Sequence, residues 1–131
     1  MKKNKLLNAA ISELIARMGH TDSLAIADAG LPIPDESWRI DLALTAGIPS
    51  FLEVLDGVLS ECEVEKIVLA EEIKEKNPQI EQEILSRFQG IEIEYISHEE
   101  LKSRLPQCKA VIRSGECSPY ANILLHSGVV F

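Results

Sequence analysis

Apolar residues recur along the chain with two periods, one typical of helices and the other of buried strands. Residues 7–18 place apolar side chains at helical spacing, with Asn4 or Asn8 as a possible cap and Gly19 at the end. The stretch SLAIADAG that follows is a short, continuous apolar run, which is typical of a strand buried on both faces. The two prolines of LPIPDES then indicate a loop.

The same two patterns alternate through the rest of the chain. We expect a weak strand around residues 39–43, a helix through residues 51–58, and a strand in VEKIVLAEE that runs into a helix. PQIEQEILSRF predicts an amphipathic helix with Pro78 near its start, and IEIEYI alternates as a strand does. SHEELKSRL predicts a helix with a capping box between Ser97 and Glu100, and KAVIRS and NILLHSGVVF predict two final strands.

Helices that alternate with buried strands predict an α/β fold, a three-layer sandwich in which helices cover a largely parallel sheet. The 131 residues fit one domain, residues 1–131, and a chain of this size buries about two-thirds of its unfolded surface. The sequence contains no internal repeat, low-complexity stretch or linker.

The charge pattern excludes one class of partner. The net charge is −8, and residues 61–100 hold 12 of the 21 acidic and 4 of the 13 basic residues, a local balance of −8. A solvated helical face explains this acidic segment, and a nucleic-acid binder would need the opposite sign. No uninterrupted apolar run resembles a signal peptide or reaches membrane-span length, so we expect no membrane insertion.

The cysteines and histidines indicate neither a disulfide framework nor a metal site. Cys62, Cys108 and Cys117 are odd in number and widely spaced, which favours reduced thiols in a cytoplasmic protein. The three histidines share no ligand spacing, and no phosphate-binding glycine motif is present. We therefore expect no metal and no cofactor.

Several polar residues follow predicted strands, where loops carry chemistry on a rigid frame. Asp28 follows the first strand, His98 follows IEIEYI, and the loop RSGECSPYAN follows KAVI. In that loop Tyr120 offers a ring and a hydroxyl, and Asn122 offers a donor and an acceptor. A sugar needs this mixture, because its hydroxyls both donate and accept while its C–H faces are apolar. His20, after the first helix, is suited to proton transfer near neutral pH.

Each candidate also has an ordinary structural interpretation. His20 would interact favourably with a helix end, Asp28 would cap the turn into AGLPIP, and His98 would be a surface side chain. The pattern of residues does not decide between these structural roles and the functional ones. Cys117 beside a histidine would suggest a thiol nucleophile, but an unreactive thiol is the simpler interpretation. A thiol or serine hydrolase needs a nucleophile next to a base, and no spacing indicates one.

A series of short motifs extends from the first helix to the last residue. GHTD at 19–22, DAGLPIP at 28–34 and IRSGECSPYANILL at 112–125 are the most specific. RIDLAL at 39–44, PSF at 49–51, LAEEI at 69–73, HE at 98–99 and the final GVVF are weaker. Together they resemble the D-ribose pyranase family of sugar mutarotases, which is related to the fucose mutarotases. The fucose branch fits less well, because there we expect glycine at Thr21 and a basic residue at Cys117.

The resemblance implies an isomerase that interconverts the pyranose and furanose forms of D-ribose and so supplies furanose for phosphorylation. It implies that His20 is the catalytic proton donor. The sugar-binding residues it implies are Asp28, His98, Tyr120, Ala121 and Asn122. Ring opening and reclosure need only a proton acceptor and a proton donor, which one imidazole supplies in turn. Two competing hypotheses are a mutarotase for another sugar, such as L-fucose, and a non-catalytic ribose-binding accessory protein of a transporter.

One geometric conflict follows from these assignments. An extended strand over residues 23–27 would place His20 and Asp28 more than ~15 Å apart, too far for one small sugar. The resemblance implies a homo-oligomer, a decamer of two pentameric rings with sites between subunits. We therefore expect a site that two subunits share.

Overall fold

Strand β1, Ser23–Ala27, shows how the sequence builds the sheet. Its side chains alternate between two cores: Leu24 and Ile26 enter one, and Ala25 and Ala27 enter the other. All four are at most 1% exposed. The continuous apolar run thus belongs to an interior strand that is covered on both faces, as the pattern predicts.

The computed structural model describes residues 1–131 as six strands and five α-helices. The remaining strands are β2, Arg39–Asp41; β3, Val64–Ala70; β4, Glu92–Ile96; β5, Val111–Arg113; and β6, Ile123–Ser127. The helices are α1, Ala9–Arg17; α2, Phe51–Leu59; α3, Ile73–Lys76; α4, Pro78–Ser86; and α5, His98–Arg104. A 3-10 turn, Leu105–Gln107, follows α5, and no helix is long and apolar enough to cross a membrane.

The strands form one sheet in the order β2-β5-β1-β6-β3-β4. β5 is parallel to its neighbours β2 and β1, and β3 is parallel to β4. β6 runs antiparallel to both β1 and β3. Only β6 is therefore reversed, and the expectation of a largely parallel sheet is confirmed.

Helices cover both faces of this sheet and complete the predicted three-layer α/β sandwich. α1 and α2 bury residues such as Leu14 and Leu55 in the larger core, on the face of Leu24 and Ile26. α5 and the 3-10 turn bury Leu101 on the other face, together with apolar residues of the proline-rich loop. Burying each such leucine fully contributes about 1.5–3 kcal/mol.

Capping differs from the sequence expectation at two helices. Ser50 Oγ accepts the Glu53 N–H at 3.1 Å and the Glu53 carboxylate accepts the Ser50 N–H at 3.0 Å, a full capping box that the sequence analysis missed. At α5, Ser97 Oγ accepts the Glu100 N–H at 3.1 Å. The Glu100 carboxylate pairs with Arg104 at 2.9 Å instead of returning to the cap, so only half of the expected box forms.

The topology gives the sheet two ends that carry different polar residues. We call the carboxyl end the one where the five parallel strands finish and β6 starts; Asp28, His98 and Tyr120 lie there. The amino end is the one where the parallel strands start and β6 finishes; His20 and Glu65 lie there. Two strands are shorter than expected, since β2 stops at residue 41 and β6 stops before GVVF.

Candidate active site

A groove of about 270 Å³ at the carboxyl end, here the Asp28 groove, combines polar side chains from three connections. Asp28 follows β1, His98 opens α5 just after β4, and Tyr120 precedes β6. Apolar walls come from Leu31, Pro32 and Pro119. The groove thus offers a carboxylate, an imidazole and a phenol beside apolar surface, which suits a ligand with many hydroxyls.

Asp28 is fixed by a reciprocal pair with Asn122. The Asp28 N–H donates to Asn122 Oδ1 at 2.8 Å, and Asn122 Nδ2 donates to Asp28 Oδ2 at 3.0 Å. The Gly30 N–H donates to Asp28 Oδ1 at 2.8 Å, which is the turn cap that the sequence offered as the structural interpretation. The cap and a ligand role are compatible, because each carboxylate oxygen has capacity for a further hydrogen bond.

The segment from Tyr120 to Asn122 presents only one side chain to the groove. Ala121 and Asn122 are 0% and 1% exposed, and both polar ends of the Asn122 side chain are taken by Asp28. Tyr120 lines the groove and has a positive φ of 58°, a conformation that costs energy for a residue with a side chain. The buried residues Ala121 and Asn122 follow directly, and the unusual backbone conformation of Tyr120 places its side chain in the groove.

His98 and Tyr120 meet edge to face, with ring centroids 5.1 Å apart at 83°. The His98 N–H at the start of α5 donates to both carboxylate oxygens of Glu72, each at 3.1 Å. His98 Nδ1 is buried and has no hydrogen-bond partner in the chain. Glu72 thus ties the backbone at the start of α5 to the segment that follows β3, and the His98 ring packs against the edge or face of the Tyr120 ring.

The loop between β5 and β6 is organised by Glu116. Its carboxylate accepts the Phe51 N–H at 3.0 Å, at the start of α2, and the Ser118 hydroxyl at 2.8 Å. Asn77 Nδ2 donates to Ser118 Oγ at 3.0 Å and to the Pro119 carbonyl at 2.8 Å. These bonds connect the tyrosine-bearing loop to two helices, so the wall of the groove does not depend on the loop alone.

His20 lies in a separate cleft of about 460 Å³ at the amino end, here the His20 cleft. Met18, Glu63, Gly128 and Phe131 are among its lining residues. No residue lines both the His20 cleft and the Asp28 groove. The structure therefore brings together Asp28, His98 and Tyr120 but leaves His20 at the other end of β1.

The GHTD turn that presents His20 is bound on both sides. Asp22 Oδ2 accepts the Gly19 N–H at 2.9 Å, and the Thr21 N–H donates to the Ser127 carbonyl at 2.9 Å. Thr21 has a φ of 71°, an unusual conformation for a β-branched residue. Both non-glycine residues with positive φ thus lie at candidate site positions, one beside His20 and the other at Tyr120.

His20 has one side-chain partner, Glu65. His20 Nε2 lies 2.9 Å from Glu65 Oε2, and the two side chains are 54% and 45% exposed. An ionised carboxylate only accepts, so Nε2 is the ring nitrogen that carries the proton in this contact. The second nitrogen, Nδ1, has no hydrogen-bond partner in the chain.

Neither a nucleophile–base pair nor a cluster of metal ligands appears in the structure. No serine or cysteine is hydrogen bonded to a histidine, and the exposed Cys117 contacts only the Gly115 carbonyl, at 3.4 Å. Burial raises the pKa of the Cys62 thiol to about 11 and also raises the pKa of Cys108. No three His, Cys, Asp or Glu side chains come together as a metal site would need.

Sequence reasoning missed the carboxylates that hold the site residues, namely Glu65, Glu72 and Glu116. Glu72 lies in LAEEI and Glu116 in SGECSPYAN, so both belong to motifs that the sequence had already singled out. Glu65 lies in the acidic segment that we interpreted as a solvated surface. The only signal for it was its place at the start of a strand.

The fold and the Asp28 groove are typical of α/β proteins that bind a small molecule at the carboxyl end of their strands. Comparison with known families narrows this class. The chain belongs to the RbsD / FucU transport protein family, whose model matches residues 1–130.

Two relatives with high sequence identity to this chain are named D-ribose pyranase. The D-ribose pyranase of Glaesserella parasuis serovar 5 is 61% identical over 139 aligned positions, covering 100% of both chains. The D-ribose pyranase of Geobacillus thermodenitrificans is 56% identical, covering 100% of this chain and 99% of the relative.

Solved structures of proteins named RbsD and FucU share the fold of this chain. The structure of Bacillus subtilis RbsD complexed with D-ribose matches with a TM-score of 0.97 at 46% identity and covers 100% of both chains. FucU from Bifidobacterium longum matches with a TM-score of 0.80 at 22% identity, a likeness of fold alone.

Proposed function

We propose that this chain is an isomerase that interconverts the pyranose and furanose forms of D-ribose. The observation that carries the proposal is the Asp28 groove, in a fold that matches a ribose-bound relative with a TM-score of 0.97. Full-length relatives named D-ribose pyranase at 56–61% identity support the same substrate. We further propose that residues 1–131 act as one domain, in the cytoplasm, and supply furanose for phosphorylation.

The chemistry requires only the movement of protons. A base takes the proton from the anomeric hydroxyl and, now protonated, donates it to the ring oxygen, while the bond between C1 and the ring oxygen breaks to give the open-chain aldehyde. Attack by a different hydroxyl on C1 closes the other ring, with the two proton transfers reversed. In our proposal His20 is the proton donor, and one imidazole serves both directions near neutral pH.

The Asp28 groove would hold the sugar during this exchange. The Asp28 carboxylate would accept hydrogen bonds from sugar hydroxyls, and His98 would bind a further hydroxyl. The Tyr120 ring would pack on the apolar C–H face of the sugar, and its hydroxyl would bind a polar group. Ala121 is buried, so it would contribute through its backbone. Asn122 would act through Asp28, whose carboxylate and N–H it binds.

The position of His20 leads us to propose a site formed by two copies of the chain. The strand of residues 23–27 separates His20 from Asp28 by more than ~15 Å, so one pentose cannot reach both in one copy. A closed oligomer would join the His20 cleft of one copy to the Asp28 groove of the next. Exposed apolar residues are available for such contacts, including Leu44 at 77%, Val130 at 89% and Phe131 at 100% exposure. We propose the decamer of two pentameric rings as that assembly.

Proton NMR of D-ribose at equilibrium tests the activity. Saturating the C1 proton of one ring form and observing the other reports exchange between them, with wild-type protein, without protein and with His20→Ala. We expect added exchange with wild-type protein only. Binding of ribose without added exchange would favour a transporter accessory protein, and exchange of L-fucose alone would favour the other branch of the family.

A further inference from the structure

The second residue of β3, Glu65, breaks the alternation of its strand. Val64 pairs with Ser127 of β6 and Lys66 pairs with His126, so Glu65 is an extra residue with no partner across the sheet. Val64 and Ile67 pack on the same core although an odd number of positions separates them, which an unbroken strand does not allow. Glu65 is therefore a β-bulge, a feature that redirects a side chain.

The bulge directs Glu65 towards His20. Its carboxylate oxygen Oε2 lies 2.9 Å from His20 Nε2, across 45 positions of sequence. The end of β6 fixes both partners: the Ser127 carbonyl accepts the Thr21 N–H at 2.9 Å, and the Gly128 N–H donates to the Glu63 carbonyl at 2.9 Å. The contact thus joins two segments that the same strand end holds in place.

Gly128 leaves the room that this arrangement needs. A Cβ at that position would lie 3.3 Å from the Glu65 Cβ, tighter than an ordinary van der Waals contact. The backbone of Gly128 therefore packs directly against Glu65 and limits its movement. Two independent features, the bulge and the close glycine, place this carboxylate beside the imidazole.

We infer that Glu65 is a positioning residue that holds the His20 ring with Nε2–H bound and Nδ1 presented to the sugar. This inference rests on the proposed function. The carboxylate accepts the Nε2 proton, so in the neutral ring Nδ1 carries the lone pair. Nδ1 is then the atom that takes the proton from one sugar oxygen and gives it to another, and Glu65 itself touches no substrate.

Three variants test the role in catalysis. Glu65→Ala removes the acceptor, whereas Glu65→Gln retains an oxygen that accepts the Nε2 proton. Glu36→Ala is the matched control, because it removes an exposed carboxylate that makes no hydrogen bond or ion pair and lines neither the His20 cleft nor the Asp28 groove. We expect Glu65→Ala to lower kcat for ribose exchange ~10-fold or more with little change in KM, since acid–base catalysis depends on orientation. Glu65→Gln should recover most of kcat, and the control should match wild type.

Nitrogen-15 NMR of the histidine side chains tests the same inference without any turnover. The spectra are recorded at pH 8.5, well above the pKa of about 6.5 of an unperturbed histidine, so that the rings are neutral. They then show which ring nitrogen carries the single proton. His20→Ala assigns the His20 signals among the three histidines. We expect the Nε2–H form in wild type and Glu65→Gln, and a mixture of both forms in Glu65→Ala.

The two measurements separate the inference from the proposed function. If wild-type protein adds no ribose exchange, the function fails, and the nitrogen-15 spectra still decide whether Glu65 orients His20. If wild type exchanges ribose but Glu65→Ala keeps its kcat or its Nε2–H form, Glu65 does not position His20. Equal losses in Glu65→Gln and Glu65→Ala would also overturn the inference, because they would show that the hydrogen-bonded oxygen is not what matters.

Discussion

Replacing Asn122 by aspartate puts a second carboxylate against Asp28 while leaving the shape of the side chain nearly unchanged. In the wild-type protein Asn122 Nδ2 donates to Asp28 Oδ2 at 3.0 Å. In Asn122→Asp, two acceptors would face each other at that distance in a position that is 1% exposed. Two ionised carboxylates there would repel by about 5–6 kcal/mol at an effective dielectric of 20.

The folded variant avoids this repulsion by keeping one proton between the two carboxyl groups. The unfolded chain releases that proton above about pH 4, so the folded state binds more protons and stability falls as pH rises. The loss is about 1.4 kcal/mol per pH unit, or about 4 kcal/mol at pH 7. Below about pH 4 both states hold the proton, and this penalty disappears.

Urea unfolding of wild type and Asn122→Asp at several pH values and one protein concentration measures the difference, with concentration fixed because association affects stability. The double variant Asp28→Asn/Asn122→Asp is the control, because the exchanged amide and carboxylate can make the same hydrogen bonds. We expect it to remove most of the pH-dependent loss. A wild-type-to-variant difference that stays constant from pH 5 to pH 8 would refute the pairing of Asp28 with Asn122.

Three further predictions concern other parts of the structure. The Arg104 guanidinium holds the pKa of Glu94 at about 2. The two side chains are 29% and 32% exposed, so Glu94→Gln should cost under ~1 kcal/mol of stability at neutral pH. That cost should vanish as pH falls from about 4.5 through 2, and a constant difference in acid titrations of unfolding would contradict this. A thiol reagent should label one cysteine of the native protein, Cys117, and all three in denaturant, and rapid labelling of three native thiols would oppose the burial described here. Gly115→Ala should lower the free energy of unfolding by about 1–3 kcal/mol, because its Cβ would lie 2.5 Å from the Ile48 carbonyl oxygen; an unchanged denaturation midpoint would argue against this close approach.

The elements could be read from the sequence because their signals are local. The apolar run of β1, the Asn8 cap of α1 and Pro78 at the first position of α4 each act within a few residues of themselves. Strand ends depend instead on the pairing partners: β5 pairs with both β1 and β2 over the same three residues, 111–113.

The contacts within the candidate site could not be read in the same way. Asp28 and Asn122 are 94 positions apart, and they meet only because β1 and β6 are neighbours in the sheet. The Glu65 bulge depends on the register between β3 and β6, which no periodicity reports. Thr21 gave no sign of its positive φ, because β-branched residues rarely adopt it. The family motifs predicted most of the candidate residues. The residues that hold them in place could be identified only in the folded structure.

Co-assembly of two variants, each of which we expect to be inactive by itself, tests most directly the claim that this chain isomerises ribose at a site built from two copies. One variant is His20→Ala and the other is the double variant Asp28→Asn/Asn122→Asp, each of which lacks one half of the site. Co-expressed in equal amounts, they should give about a quarter of wild-type ribose exchange, since half of the clefts and half of the grooves are intact and pair at random. No exchange in the mixed assembly, with full exchange in the wild-type control, would contradict the shared site.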